Sequence, residues 1–363
     1  MKNSKLYNSV FLCVVLGFSM VTMGSISAQE SQDDPRNVNW DLHVDPSGVL
    51  GVESCEKCHA PEIQTWKATP HHDTFLTLHR KKEAQQIASK LGISSFKTDS
   101  NCVQCHYTMK QVGGLPVSTN GSAISNDLSR AVEAISGVSC ESCHGPAKDW
   151  LTLHNDYGGP GVTRQSESKE HRRSRLSQSI KGGMRNPVNL YLVAQSCYRC
   201  HTVPDENLVN VGGHNPGSLD FEIVSWSQGL VRHNFVRTDG KHNAENTPER
   251  LRVMFIAGMI ADLEYSMRAT ASATEKANFG ITSAKRTARA AARLKSAQLK
   301  LNQPILAEIL EVFASVQLKL NNREPLTQAA DQIHKLGLRF AATVSGEDLV
   351  AINDYIPPKD KWK

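Results

Sequence analysis

The sequence predicts a mainly α protein in two parts, a loop-rich region built around a repeated cysteine motif and then an antiparallel helical bundle. Three observations carry this. Eight of the nine cysteines fall in four copies of Cys-x-x-Cys-His, all before residue 202. Strand signals are scarce, and glycine clusters such as Gly158-Gly159-Pro160-Gly161 and Gly182-Gly183 break the chain between motifs into loops. From Thr247 onward there is no cysteine, and long helical periodicity takes over.

The N-terminus comes first. Lys2 and Lys5 precede an apolar run from Val10 to Met23, which contains the ninth cysteine, Cys13; small residues Ser25, Ser27 and Ala28 follow. That order describes a secretory signal peptide over residues 1–28 and so a periplasmic or extracellular protein. Cleavage leaves no spare thiol and no stable membrane span. The competing reading, an anchor through Cys13 or an uncleaved helix, meets a run shorter than the roughly 20 residues a span prefers.

The motifs are Cys55-Glu56-Lys57-Cys58-His59, Cys102-Val103-Gln104-Cys105-His106, Cys140-Glu141-Ser142-Cys143-His144 and Cys197-Tyr198-Arg199-Cys200-His201. Two thiols separated by two residues reach both vinyl groups of one porphyrin as thioethers, and the adjacent histidine then lies under the iron. A zinc ribbon does not require a histidine after every second cysteine, and a disulfide framework does not need one spacing four times. Four covalently bound haem c groups are therefore expected, with His59, His106, His144 and His201 as iron ligands. Residues 29–246 read as a loop-rich multihaem cytochrome domain, a tetrahaem cytochrome c domain. Four porphyrins in under two hundred residues imply close stacked or edge-to-edge approach, and the low aromatic share of 6% fits a chain whose core is partly haem.

Charge excludes one class of partner. The formal net charge is +5, and without Lys2 and Lys5 it is +3. Eight haem propionates, partly offset by ferric iron, make the holoprotein near neutral or acidic, so basicity gives no argument for nucleic acid.

Ten histidines lie outside the motifs: His43, His71, His72, His79, His154, His171, His214, His233, His242 and His334. A second imidazole makes an iron six-coordinate and favours electron transfer over substrate binding. Methionine is a poor alternative, because Met109 is too close to His106 and Met254, Met259 and Met267 recur at core spacing. No motif surrounds His43, His242 or His334, which read as surface or hydrogen-bonded side chains.

Trp66-Lys67-Ala68-Thr69-Pro70-His71 after the first motif, Gly137-Val138-Ser139 and Gly145-Pro146 flanking the third, and the spacing of His154, His214 and His233 give roughly residues 50 to 240 a resemblance to the tetrahaem cytochrome c-554 family. Its founding members carry electrons away from hydroxylamine oxidation in ammonia-oxidising bacteria. The resemblance implies His154 as distal ligand of the haem on His59, His71 for the haem on His144, and His233 for the haem on His201, with His214 competing. It implies a five-coordinate haem on His106, a position that His214, or else His72, His79 or His171, would close.

The run Glu170-His171-Arg172-Arg173-Ser174-Arg175 reads as the solvated side of a helix, with a docking surface for an acidic redox partner as the alternative. Residues 247–363 form the bundle. Thr247 and Pro248 start its first helix, with Leu251, Met254, Phe255, Gly258, Met259, Leu263 and Met267 as the stripe. The second runs from about Ala273 to Leu301, with Ile281, Ala284, Ala288, Ala291 and Leu294 on one face and Lys285, Arg286, Arg289 and Arg293 around it. The third, from Pro304, carries its stripe to Leu320, and the fourth starts at Pro325. The bundle reads as a cap on the haem domain or as a surface for homo-oligomerisation.

The function expected is an electron-transfer protein working between donor and acceptor redox proteins through bis-histidine haems. The alternative is a multihaem redox enzyme acting on a small nitrogen or sulfur species at the haem of His106, and a third possibility is a subunit of a haem filament.

Overall fold

The computed structural model describes residues 44–112 and 132–363; the leader, Cys13 and His43 lie outside the described residues. Helix makes up 61% of it, the mainly α class expected.

The first motif lies in α1 (Glu53–Lys67). His59 leaves helical geometry (φ −120°, ψ 32°), and Pro61 has no N–H to bond back to Lys57, so the helix kinks at the motif histidine. The chain then enters α2 (Pro70–Thr77), where the Thr69 hydroxyl caps the N-terminus from the His72 N–H and proline takes the first turn. After α3 (Lys82–Leu91), α4 (Ser100–His106) carries the second motif behind an Asp99 cap. Strands β1 (Thr108–Gln111) and β2 (Val132–Ser136) pair antiparallel. The third motif is a single turn, α5 (Cys140–His144). Then come α6 (Lys169–Lys181), α7 (Leu190–His201) ending in the fourth motif, α8 (Glu206–Asn210) and α9 (Ile223–Gln228).

The C-terminal helices are α10 (Pro248–Ser272), α11 (Asn278–Leu301), α12 (Pro304–Ala314) and α13 (Arg323–Thr343). Thr247 caps α10 from the Arg250 N–H, as its sequence signature predicts. Two expectations shift. The third helix ends at Ala314 rather than running on to Leu320, and α11 buries Ser283, Arg286, Thr287, Ala290, Leu294 and Ala297 while Ile281 is exposed. The buried face of α11 is therefore rotated from the alanine stripe, because Asp262 of α10 supplies a partner that lets Arg286 turn inward.

The main core crosses residue 247. Leu190, Tyr191, Leu192, Ala194 and Tyr198 of α7 share one apolar cluster with Ile256, Ile260 and Leu263 of α10, Leu294 of α11, Leu306 of α12 and Ile333 of α13. The backbones come close there. A Cβ at Gly337 of α13 would stand 2.3 Å from the Tyr191 ring, so the contact of α13 with α7 requires glycine. The helix bearing the fourth motif is thus packed as a core helix, while the second and third motifs sit on short elements and the first on a kinked helix outside this cluster.

Candidate haem sites

Polar clamps hold the first three motifs to one another. Glu141, inside the third motif and 1% exposed, accepts hydrogen bonds from the Leu50 and Gly51 N–H groups at 2.9 and 2.8 Å and from Ala147 N–H at 2.8 Å. This ties the strand of chain entering the first motif to the third. The Thr108 hydroxyl lies 2.9 Å from Ser139 Oγ and 2.8 Å from Ser142 Oγ, and the Trp66 indole donates to the Val138 carbonyl. From α2, Thr74 donates to the His106 carbonyl of the second motif at 2.8 Å.

The third and fourth motifs meet through arginines. Arg185 and Arg199 both donate to the Ser142 carbonyl, at 3.1 and 3.2 Å, and Ser196 donates to the Cys143 carbonyl at 2.8 Å. The Cys200 thiol reaches the Gln104 carbonyl of the second motif. Motif contacts therefore run first to third, third to fourth and fourth to second.

Each motif histidine faces one histidine from elsewhere in the chain. Ring centroids are 6.2 Å apart for His59 and His154, 6.5 Å for His106 and His214, 6.1 Å for His144 and His233, and 6.3 Å for His201 and His71. An imidazole nitrogen about 2 Å from a metal on each side puts two centroids roughly 6.3 Å apart. All four separations fit one ion between each pair of rings.

Their polar surroundings agree. The Nδ1 atoms of His154, His214 and His233 lie 2.6, 2.7 and 2.7 Å from the carbonyls of Leu151, Asn215 and Val231. A carbonyl only accepts, so Nδ1 carries the proton and Nε2 is left to bind metal. His144 Nδ1 faces the Arg185 carbonyl at 3.4 Å. Burial is the main cause that pushes His106, His144 and His201 down to about 4, with the facing histidines adding to it, and His71 and His154 are also lowered by burial. Neutral rings are the ligand form.

Two of the pairings differ from those the resemblance implies. His71 stands opposite His201, not His144, and His233 stands opposite His144, not His201. The cause is the contact of the fourth motif with the second, whose His106 carbonyl is held by α2, so that His71 of α2 falls within reach of the end of α7. His214 faces His106, while the His72 ring packs edge-on against Trp66, with centroids 4.8 Å apart.

Sequence reasoning missed Glu141, Arg185 and Arg175. The last belongs to the basic run, where Lys169, Arg172 and Arg173 are exposed but Arg175 turns inward, chelates the Glu167 carboxylate and donates to the His154 carbonyl at 2.5 Å. Its only sequence signal was a glutamate eight residues earlier.

Residues 54–145, which contain the first three motifs, match the family described as cytochrome c554 and c-prime. Over 111 residues the chain is 32% identical to cytochrome c-554 of Nitrosomonas europaea, a stretch covering 30% of this chain and 43% of that protein. This part of the chain is similar to the cytochrome c-554 family. The chain thus spans less than half of that cytochrome c-554 relative. No solved structure matches. Similarity to the cytochrome c-554 family implies covalently bound haem c, and the residues present fit it: each Cys-x-x-Cys pair adjoins a histidine whose ring faces a second imidazole at metal-bridging separation. No helix among the described residues is long and apolar enough to cross a membrane.

Proposed function

We propose that this chain is an exported tetrahaem c-type cytochrome whose four irons are each held between two histidines, His59 with His154, His106 with His214, His144 with His233 and His201 with His71. Its work is electron transfer between redox partner proteins outside the cytoplasm. When bound, haem supplies a reversible one-electron ferric/ferrous couple. The chain's own residues do the rest. The eight cysteines would anchor the groups, the paired neutral imidazoles would hold each iron between them, and carbonyls of Leu151, Asn215 and Val231 fix the rings of His154, His214 and His233, so that little would move when the charge changes.

The observation that carries this reading is the placement of His214 opposite His106. An enzyme acting on a small nitrogen or sulfur species needs an open coordination position, and His106 was the candidate for it. A filled position supports a carrier. Electron paramagnetic resonance of the oxidised protein is expected to give four low-spin signals, and the reduced protein is expected to bind neither carbon monoxide nor nitric oxide rapidly. His214→Gly should convert one haem to high spin and open it to nitric oxide. A wild-type high-spin signal that disappears on nitric oxide addition overturns the closed site on His106.

A further inference from the structure

We infer that Arg286, contributed by α11, is a positioning residue for the haem on His201: it fixes the orientation of the His201 ring and, with Asp262, sets that haem's potential. The inference rests on the bis-histidine reading above. It assigns a role to helices that lie outside the family match, which ends at residue 145.

Arg286 is 3% exposed and reaches out of the helical core to the end of the fourth motif. Its Nη1 donates to the His201 carbonyl at 3.3 Å and to the Ser218 carbonyl at 2.5 Å, while Nε donates to Asp262 Oδ1 at 2.7 Å. One guanidinium therefore staples the exit of the motif to the 217–221 segment. The approach is tight, since a Cβ at Gly217 would lie 2.2 Å from the His201 carbonyl oxygen and 2.9 Å from Arg286 Nη1. At the end of that segment Phe221 stacks on the His201 ring, with centroids 4.1 Å apart and planes 11° from parallel. Fixing Ser218 thus fixes Phe221, and Phe221 limits rotation of the imidazole.

The backbone beyond the motif shows why a clamp is needed. Val203 has φ 48°, a left-handed conformation that a β-branched residue adopts only when its surroundings impose it. Val203 packs on Val209, Ala269, Ala273 and Phe279, three of which belong to the segment from α10 to α11. The same helices that supply Arg286 hold this strained turn in place. Asp262 is 4% exposed, and a buried ion pair is costly to desolvate, so its placement against a haem motif points to a function other than simple stability.

The two charges act with opposite signs. A nearby cation favours the ferrous over the ferric state and raises the potential, whereas an anion lowers it. The angle between the two axial imidazole planes, 67° for His201 and His71, sets the anisotropy of the low-spin ferric signal.

The test is a redox titration of the four-haem holoprotein followed by electron paramagnetic resonance, with the signal lost in His71→Gly assigned to the haem on His201. Arg286→Met is expected to move the largest g value of that signal and lower its midpoint potential. Asp262→Asn is expected to raise that potential, and the other three haems should keep theirs. Should Arg286→Met fail to mature, Asp262→Asn retains both carbonyl contacts and decides alone. Unchanged signal and potential, or an equal shift at all four haems, overturns the inference. Fewer than four low-spin signals in the wild type would instead overturn the bis-histidine reading, so the two failures are distinguishable.

Discussion

Around the third motif the holding contacts are polar: the Glu141 carboxylate accepts from three backbone N–H groups, and the Thr108 hydroxyl bridges two serines. The fourth motif ends a helix whose side chains Tyr191, Leu192 and Ala194 are fully buried in the same apolar cluster as α10 and α13. One motif sits on a turn of five residues and the other on a core helix of twelve. A five-residue turn buries too little apolar surface to offset the entropy of ordering its loops, so the region of the first three motifs is expected to depend on bound haem for its core. The α7 to α13 region has a core of its own.

The largest expected effect follows from that difference. In chain produced without haem attachment, hydrogen exchange should remain slow through α7, α10, α11 and α13 and become nearly unprotected over residues 44–112 and 132–160. Uniform protection, or uniform loss of it, would remove the distinction between the two regions. Within the core the effect of one substitution is smaller but still large. Leu294 is fully buried in the cluster, and Leu294→Ala should destabilise the α7 to α13 region by about 3 kcal/mol through lost burial and a residual cavity. Thermal denaturation followed at 222 nm would show the loss. The signal of the haem on His59, whose facing His154 lies outside that region, should survive to nearly the wild-type temperature.

What the sequence made legible was the chemistry that is local in the chain. Thioether attachment demands a fixed spacing, so the four pentapeptides could be found by counting, and Thr247-Pro248 announced α10 because capping is a matter of neighbouring residues. The pairing of histidines was not legible, since it depends on where α2 and the 229–234 segment lie after folding; His71 and His233 each lie opposite a different motif histidine from the one the resemblance implies. The buried face of α11 was misread for a related reason. Amphipathic reasoning sends arginine outward and isoleucine inward, yet Arg286 is buried and Ile281 exposed, because Asp262 lies on a helix the pattern cannot see. Residues that bind charge to charge across elements leave no periodicity.

The smallest effect concerns the seam between the two regions. Glu264 of α10 is 1% exposed and accepts from the Tyr191 hydroxyl at 2.5 Å and Gln195 Nε2 at 2.8 Å, both on the motif-bearing α7, while Arg268 donates to its other oxygen. Burial pushes the Glu264 carboxyl up, but the hydrogen bond from His334, the Arg268 charge and the Tyr191 hydroxyl outweigh it and leave it below the usual carboxylate value. A carboxyl depressed on folding adds stability above its unfolded pKa of about 4.5 and loses it as pH falls through the lower folded value. Glu264→Gln should therefore cost about 1.5 kcal/mol at pH 7, in the range of hydrogen bonds to charged groups, and progressively less below pH 4. Urea titrations across pH 3 to 7 would read the convergence. A deficit independent of pH would mean that Glu264 acts through its shape and packing alone, and the tie between α7 and α10 would then be apolar throughout.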